Sequence, residues 1–495
     1  MPIPGATAVF LRVRPDARYP EQPPFHPGEA YPELGAGVEV APGGNDACAL
    51  VRGVLSDMGL DAGRAGTPGW NPLGEMIRPG MTVLVKPNLV LHEHPKGGDL
   101  QCLITHGSVV RAVLDYVALA LGGEGRIVVG DSPLQGTDFR LACERSGLAG
   151  VVEHARRAFG MPVDLVDFRQ VQAIQDRDGN VREWRETPGD PRGYVEFDLR
   201  DDSMLAPISG DVAKFRVAKY KAKDTAQYHH RHSHRYVIAG SVLDADVILN
   251  VPKLKTHCKA GVTLGLKNFV GTVGRKQCLA HHRHGSVARR GDEYPENSRL
   301  KDLSVWLGDA IQGNPHSAVR ALLTFAWRAD LRVMKTLGIP FRGDGGWHGN
   351  DTVWRMALDL VRIALYGRRD GTLADTPRRV ILTVLDGIVA GEGEGPLEAR
   401  PKRTGAIVAG LDPLATDVAT AAWMGFDWRR IPLLREGVAM EKWPVGAGLM
   451  RTEEPPVMLN GERISLRDLA GSPAGQRFEP PEGWAGHIER SPRSA

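Results

Sequence analysis

Two stretches, "MTVLVKPNLV" and "GRIVVGDSP", are apolar on both faces and flank "THGSVVRAVLDYVALAL", whose apolar residues recur at helical spacing behind a capping Thr or Ser. A strand that is apolar at every position must be covered on both sides, and two such strands joined through a helix pair in parallel. The unit therefore predicts an α/β fold of mostly parallel sheets covered by helices. Ligands of such sheets bind beyond the carboxyl ends of the strands. Those ends carry Lys86 and Asn88 after the first strand, Asp131 and Ser132 after the second.

The pattern continues along the chain. "ADVILNVP", "RRVILTVLDGI" and "GAIVAG" read as further buried strands, the second ending at Asp386 before a polar Gly/Glu loop. "NDACALVRGVLSDMGL" reads as a helix capped by Asn45, "DTVWRMALDLVRIAL" as one started by Asp351 or Thr352, and "DPLATDVATAAWMGF" as one capped by Asp412. Residues 170–210 and 285–345 are polar or irregular enough to be insertions. The second holds "AVRALLTFAWRADLRVMKTLGI", whose interrupting charges predict a helix packed on the core or on a sister subunit rather than on a membrane. The chain thus divides into residues 1–79 leading into the core, an α/β core over 80–435, and a Pro-rich extension over 436–495 that is expected to wrap the surface or fray.

Composition excludes several classes. Lys+Arg 62 against Asp+Glu 59 gives a net charge of +3, too balanced for a dedicated nucleic-acid binder. Five scattered cysteines without a C-x-x-C pair predict neither a disulfide framework nor an iron–sulfur cluster. There is no secretory signal pattern and no apolar run long enough to span a bilayer, so the expectation is a cytoplasmic protein with no membrane partner. A homo-oligomer is compatible with the helical insertion.

The densest chemistry lies in "VPKLKTHCKAGVTLGLKNFVG". Lys253, Lys255 and Lys267 sit within apolar sequence, where a buried charge needs a partner, and lysines there suit a carboxylate or phosphate. Lys259 and Lys276 read as lysines that keep a strand end wet. His257 is placed to move protons, Asn268 to bind the ligand, and Asp131 to complete an acid–base pair. Histidines 229, 230, 232, 234, 257, 281, 282 and 284 put eight of the sixteen within 56 residues. Asp386, Glu392 and Asp417, with His282, suit a divalent metal. If all these strands share one sheet and one direction, their polar tips meet around one cationic pocket.

With its motifs laid out, the chain is similar to the microbial domain-of-unknown-function family 362, through "VLVKPNLV", "VGDSP", "DADVILNVPKLKTHCKAGVTLGLKNFVGTVGRK", "GWHGNDTVWRMALDL", "LDGIVAGEGEGP" and "LDPLATDVATAAWMGFD", in order over residues 80–430. Some members carry a ferredoxin-like iron–sulfur segment, from which this chain departs by its unclustered cysteines. A local stretch from His257 through Lys267 to the histidines near 281 also resembles nickel-dependent lactate racemases in layout. That resemblance implies a nickel-pincer cofactor on Lys267 and histidines as metal ligand or acid–base groups, although "VTLGLKN" lacks the paired small residues before the lysine.

The reading that follows is an enzyme acting on a small anionic substrate, carboxylate or phosphate, by metal-assisted or lysine/histidine acid–base chemistry. Its reaction class is isomerase or racemase-like, lyase or hydrolase. The alternative is a non-catalytic metal or cofactor carrier or maturation protein.

Overall fold

A computed structural model describes residues 7–35, 37–175, 181–217, 220–314, 316–339, 344–446, 454–469 and 471–490. Its centre is an eleven-stranded mixed sheet. The strands are β1 (Val9–Val13), β2 (Thr82–Pro87), β3 (Arg126–Asp131), β4 (Val163–Asp167), β5 (Val247–Val251), β6 (Lys253–His257), β7 (Gly261–Val262), β8 (Val380–Glu394), β9 (Glu398–Gly410), β10 (Val457–Leu459) and β11 (Glu462–Ile464). Their order is β11-β10-β1-β9-β8-β5-β2-β3-β4, with β6 paired to β7 and β8. From β8 through β5, β2 and β3 to β4 all neighbours are parallel, so their carboxyl ends share one edge.

Successive residues of these strands enter different cores, as the pleat requires. Leu84, Val128 and Ile248 face one side, where they pack with helices α7 (Val353–Tyr366) and α8 (Pro413–Trp423). Val83, Val85, Val129 and Leu249 face the other, under α1 (Asp46–Asp57), α2 (Gly107–Leu121) and α3 (Leu148–Ala158). Each fully buried aliphatic side chain contributes about 2 kcal/mol. The fold is thus the α/β architecture expected, with both faces covered. Three more helices bear on the site: α4 (Leu264–Asn268), and the hairpin of α5 (Arg299–Gly313) and α6 (Ser317–Thr336).

Asn45 and Asp412 cap α1 and α8 as their positions suggested. Two other caps differ. The side chain of Asn350, rather than Asp351 or Thr352, accepts the first N–H groups of α7. His106 Nδ1 accepts from Ser108 N at the start of α2, because the Thr105 hydroxyl is taken by the Val251 carbonyl.

Three expectations about organisation need correcting. Asp386 does not end its strand: β8 runs on to Glu394 and folds back on β9, because its glycines allow close backbone approach where "VAGEGEG" looked like a turn. A Cβ on Gly391 would press on the Cys102 carbonyl and the Lys255 side chain. Beyond "ADVILNVP" the chain does not end in a polar strand tip: Lys253–His257 form a further strand, β6, buried beside β8. The described part of the C-terminal extension does more than wrap the surface, since β10 pairs with β1 and Trp484, 1% exposed, donates to the Cys258 carbonyl.

Candidate functional site

The shared strand edge first builds two buried ion pairs. Lys86 near the end of β2 and Asp131 at the end of β3 lie side by side, Nζ to Oδ1 2.6 Å, and the second Asp131 oxygen accepts the Leu89 N–H at 2.7 Å. No Cβ fits on Gly271 above them, since it would fall on both charged groups. Lys253 Nζ is likewise 2.7 Å from Asp386, whose oxygens also accept from the Tyr19 hydroxyl and the His106 N–H. Burial lowers the proton affinity of both lysines, and their carboxylates oppose it. Loss of one partner would strand a buried charge, at a cost of about 3–5 kcal/mol.

Three further lysines have no carboxylate. Lys255 donates to Asn88 Oδ1 at 2.9 Å and to the Leu103 carbonyl. Lys276 donates to the Ser132 carbonyl at 2.6 Å. Lys267, 6% exposed, has neither a hydrogen bond nor an ion pair among the described residues. All three line one cavity of about 790 Å³, together with Asn88, Ser132 and Asn268. Burial lowers Lys255 and Lys276 to about 7 and Lys267 to about 8.

The backbone that presents Lys267 is strained. Leu264 adopts φ 42°, a left-handed conformation costly for a branched side chain, as it opens α4. What holds it is Asp417, inside α8, whose two oxygens accept the N–H groups of Gly265 and Leu266 at 2.7 and 2.8 Å. Burial pushes this carboxyl up to about 8. Asn268, at the end of α4, ties the helix to the sheet through Asn250 Oδ1 at 2.8 Å and the Lys86 carbonyl at 3.2 Å, and to Asn88 at 3.1 Å.

Two histidines on the cavity wall carry defined tautomers. His257 Nδ1 accepts the backbone N–H groups of Lys259 and Ala260 at 3.1 and 3.3 Å, so the proton of the neutral ring sits on Nε2. His281 Nδ1 faces the Leu279 carbonyl at 2.7 Å and must donate to it, which leaves Nε2 with a lone pair. Both rings are held well below the usual imidazole range by burial and then by the positive charge of Lys267. They are therefore neutral at pH 7.

The structure sorts the sequence-predicted residues. Lys255, Lys267, His257, Asn88, Ser132 and Asn268 meet at the cavity, and Asp131 reaches its wall. Lys86 and Lys253 do not line it, because each is consumed by its carboxylate, and Asp131 is likewise committed to Lys86 rather than placed as an acid or base. The metal quartet is not assembled. Asp386 is saturated by Lys253, Asp417 caps α4, Glu392 is held by Lys402 at 2.9 Å, and His282 lies 3.6 Å from Glu293. Among the described residues no group of three or more His, Cys, Asp or Glu is placed to hold a metal ion. His257 does not fit the metal-ligand role implied by the racemase resemblance, since its Nδ1 is occupied by two donors and its Nε2 carries the proton.

Of the histidine tracts, His281 and His282 reach the cavity, whereas His229 and His234 are buried against each other, Nδ1 to Nδ1 3.3 Å, and His230 and His232 are exposed. Sequence reasoning missed Lys276, read as a solvated lysine although it is 8% exposed, and Tyr19, which arrives from a Pro-rich loop with no local signal. Glu293 was missed too. Burial would raise its pKa, but the facing His282 and His284 rings, 3.6 and 3.3 Å away, and the Gly285 N–H at 3.0 Å hold it down to about 2.

A family model described as a domain of unknown function (DUF362) matches residues 83–189 and 205–422, which include every strand and helix end that meets at the cavity. The chain belongs to the DUF362 family. A thylakoid-associated protein of Synechocystis sp. is 27% identical over 247 residues, covering 49% of this chain and 56% of that relative. The chain thus matches little more than half the length of that relative. No solved structure matches at a significant level. Among the described residues no helix is long and apolar enough to cross a membrane.

Proposed function

We propose that this DUF362 chain is a cytoplasmic enzyme that binds a small carboxylate or phosphate and moves a proton on it by lysine/histidine chemistry. The observation that carries the reading is the trio Lys255, Lys267 and Lys276, buried around one cavity and none of them ion-paired to a carboxylate among the described residues, the nearby Asp131 being committed to Lys86. A buried ammonium without a counter-charge is costly, so an entering anion relieves that cost and is bound by it. With the anion seated, His281 Nε2 is the group able to accept a proton, and His257 Nε2–H the group able to donate to an oxygen on which negative charge builds. A neutral histidine used as a hydrogen-bond donor and lysines nearby stabilise such charge without transferring their own protons. A base and an oxyanion donor facing one cavity suit an isomerase, racemase or lyase reaction beginning with removal of a proton next to the anionic group. The reading routes no step through a metal.

The test is proton exchange. Purified protein is incubated in D2O with a panel of α-substituted carboxylates and phosphorylated three- and four-carbon acids, and deuterium uptake is read by mass spectrometry. Uptake into one panel member that is lost in His281→Gln supports the enzyme reading. Tight binding of a panel member without exchange or turnover supports the carrier alternative, in which the unpaired Lys267 holds a stored anionic group.

A further inference from the structure

The α5–α6 hairpin has two unlike faces. Its inner face walls the cavity with Val305, Trp327 and Leu331. Its outer face is apolar and open: Leu322 is 68% exposed, Phe325 70%, Leu337 61% and, on α5, Trp306 59%. Sequence periodicity predicted that this helix packs on the core or a sister subunit, and its inner face does pack. The outer residues form a separate stripe, since Ala318, Leu322, Phe325, Ala329 and Val333 follow one another at three- and four-residue steps and are all exposed.

The charges beside that stripe have one sign. Arg328, Arg332 and Lys335 occupy the adjoining sector of α6 and are exposed. The acid of this helix, Asp330, is 6% exposed and turned inward toward Ser304. Along α6, a long apolar stripe with a cationic border and no outward acid is the pattern of a helix lying in a bilayer interface, where an exposed tryptophan such as Trp306 also sits well; Asp309, the exposed acid one turn from Trp306 on α5, is paired with Arg216 at 3.4 Å. A second copy of the chain is a poor fit. Packing the stripe on itself would set one cationic border against the other, with no α6 carboxylate to separate them.

We propose that the outer face of the α5–α6 hairpin docks this chain on an anionic lipid surface. α6 lies flat, Leu322, Phe325 and Leu337 enter the acyl boundary, and Arg332 and Lys335 meet lipid phosphates. The inference is independent of the reaction assigned to the cavity.

The experiment is co-sedimentation of the full chain with vesicles of phosphatidylcholine alone or mixed equally with phosphatidylglycerol, at about 0.1 M salt. Binding to the mixed vesicles is expected to be at least tenfold tighter than to phosphatidylcholine. R332Q and K335Q should each weaken it about fivefold. L322D/F325D should abolish it, with an unchanged melting curve because both side chains are exposed in the folded chain. Absence of binding to the mixed vesicles by a folded protein overturns the proposal. So does light scattering that gives a dimer converted to monomer by L322D/F325D, the result expected of a second copy on this face.

Discussion

His257 and His281 face the same cavity with opposite ring nitrogens protonated, His257 at Nε2 and His281 at Nδ1, each fixed by backbone groups rather than by a ligand. One ring is thus preset as a donor and the other as an acceptor. Long-range proton–nitrogen NMR correlations at pH 7 should give two neutral rings of different tautomer, and H281Q should remove only the Nδ1–H pattern. Two rings of the same tautomer, or a protonated ring, would contradict the assignment. Loss of a positioned base costs about 10²–10⁴ in turnover, so H281Q is expected to fall in that range against an identified substrate.

Anion binding should weaken as the solution becomes basic. Lys255 and Lys276 titrate near 7 and Lys267 near 8, so between pH 6.5 and 9 all three lose their charge. Sulfate, whose own charge is constant over this range, should bind at least tenfold more weakly at pH 9 than at pH 6.5 by calorimetry. A flat profile would place the binding charge elsewhere.

The same lysines make a contribution to the stability of the unliganded fold that grows with pH. Their folded-state values lie below the value of 10.5 that they regain on unfolding, so between about 7 and 10.5 the unfolded chain binds more protons. Their burial penalty is fully present below pH 7 and fades as pH rises through that window. Saturating sulfate restores the protons and should blunt the trend. Melting temperatures from pH 7 to 9, with and without sulfate, test the sign: K255M/K267M/K276M should remove the pH-dependent difference.

Breaking the Lys86–Asp131 pair from one side should be worse than replacing both ends. K86M or D131N alone leaves a buried charge or an orphaned partner, expected to cost about 3–5 kcal/mol in denaturant unfolding, while K86M/D131L recovers much of it. G271A should reproduce the single-mutant loss without removing either charge, because its methyl would occupy their space.

Asp417 supports the site from beneath. D417N turns an amide N–H₂ toward one of two backbone donors, so it should lose about 1–3 kcal/mol and release the strained turn at Leu264. Sulfate affinity should fall as far as in Lys267→Met, although Asp417 touches no part of the cavity. Unchanged affinity would show that Lys267 is held by other means.

Much of this was legible beforehand, for definable reasons. Uniformly apolar strands fix a covered parallel sheet, and a parallel sheet brings Lys86, Asp131, Lys253 and Asp386 to one edge whatever the loops do. Which lysine meets which carboxylate was not legible, because pairing depends on register. Lys253 lands opposite Asp386, whereas Lys255, two residues on, lands opposite Gly391 and is left to face the cavity. Capping of the Lys267 turn by Asp417 joins residues about 150 apart in sequence, with no local signature. The acidic residues looked like a metal set because composition cannot show that each is already engaged by a lysine, an N–H or a neighbouring cation.

Segments far apart in sequence brace residues beside the cavity. Tyr19 secures Asp386 from the amino side, and Trp484 braces Cys258 from the carboxyl side, with β10 lying against β1. Cys258, on the cavity wall, therefore gains this partner only once residue 484 has been synthesised.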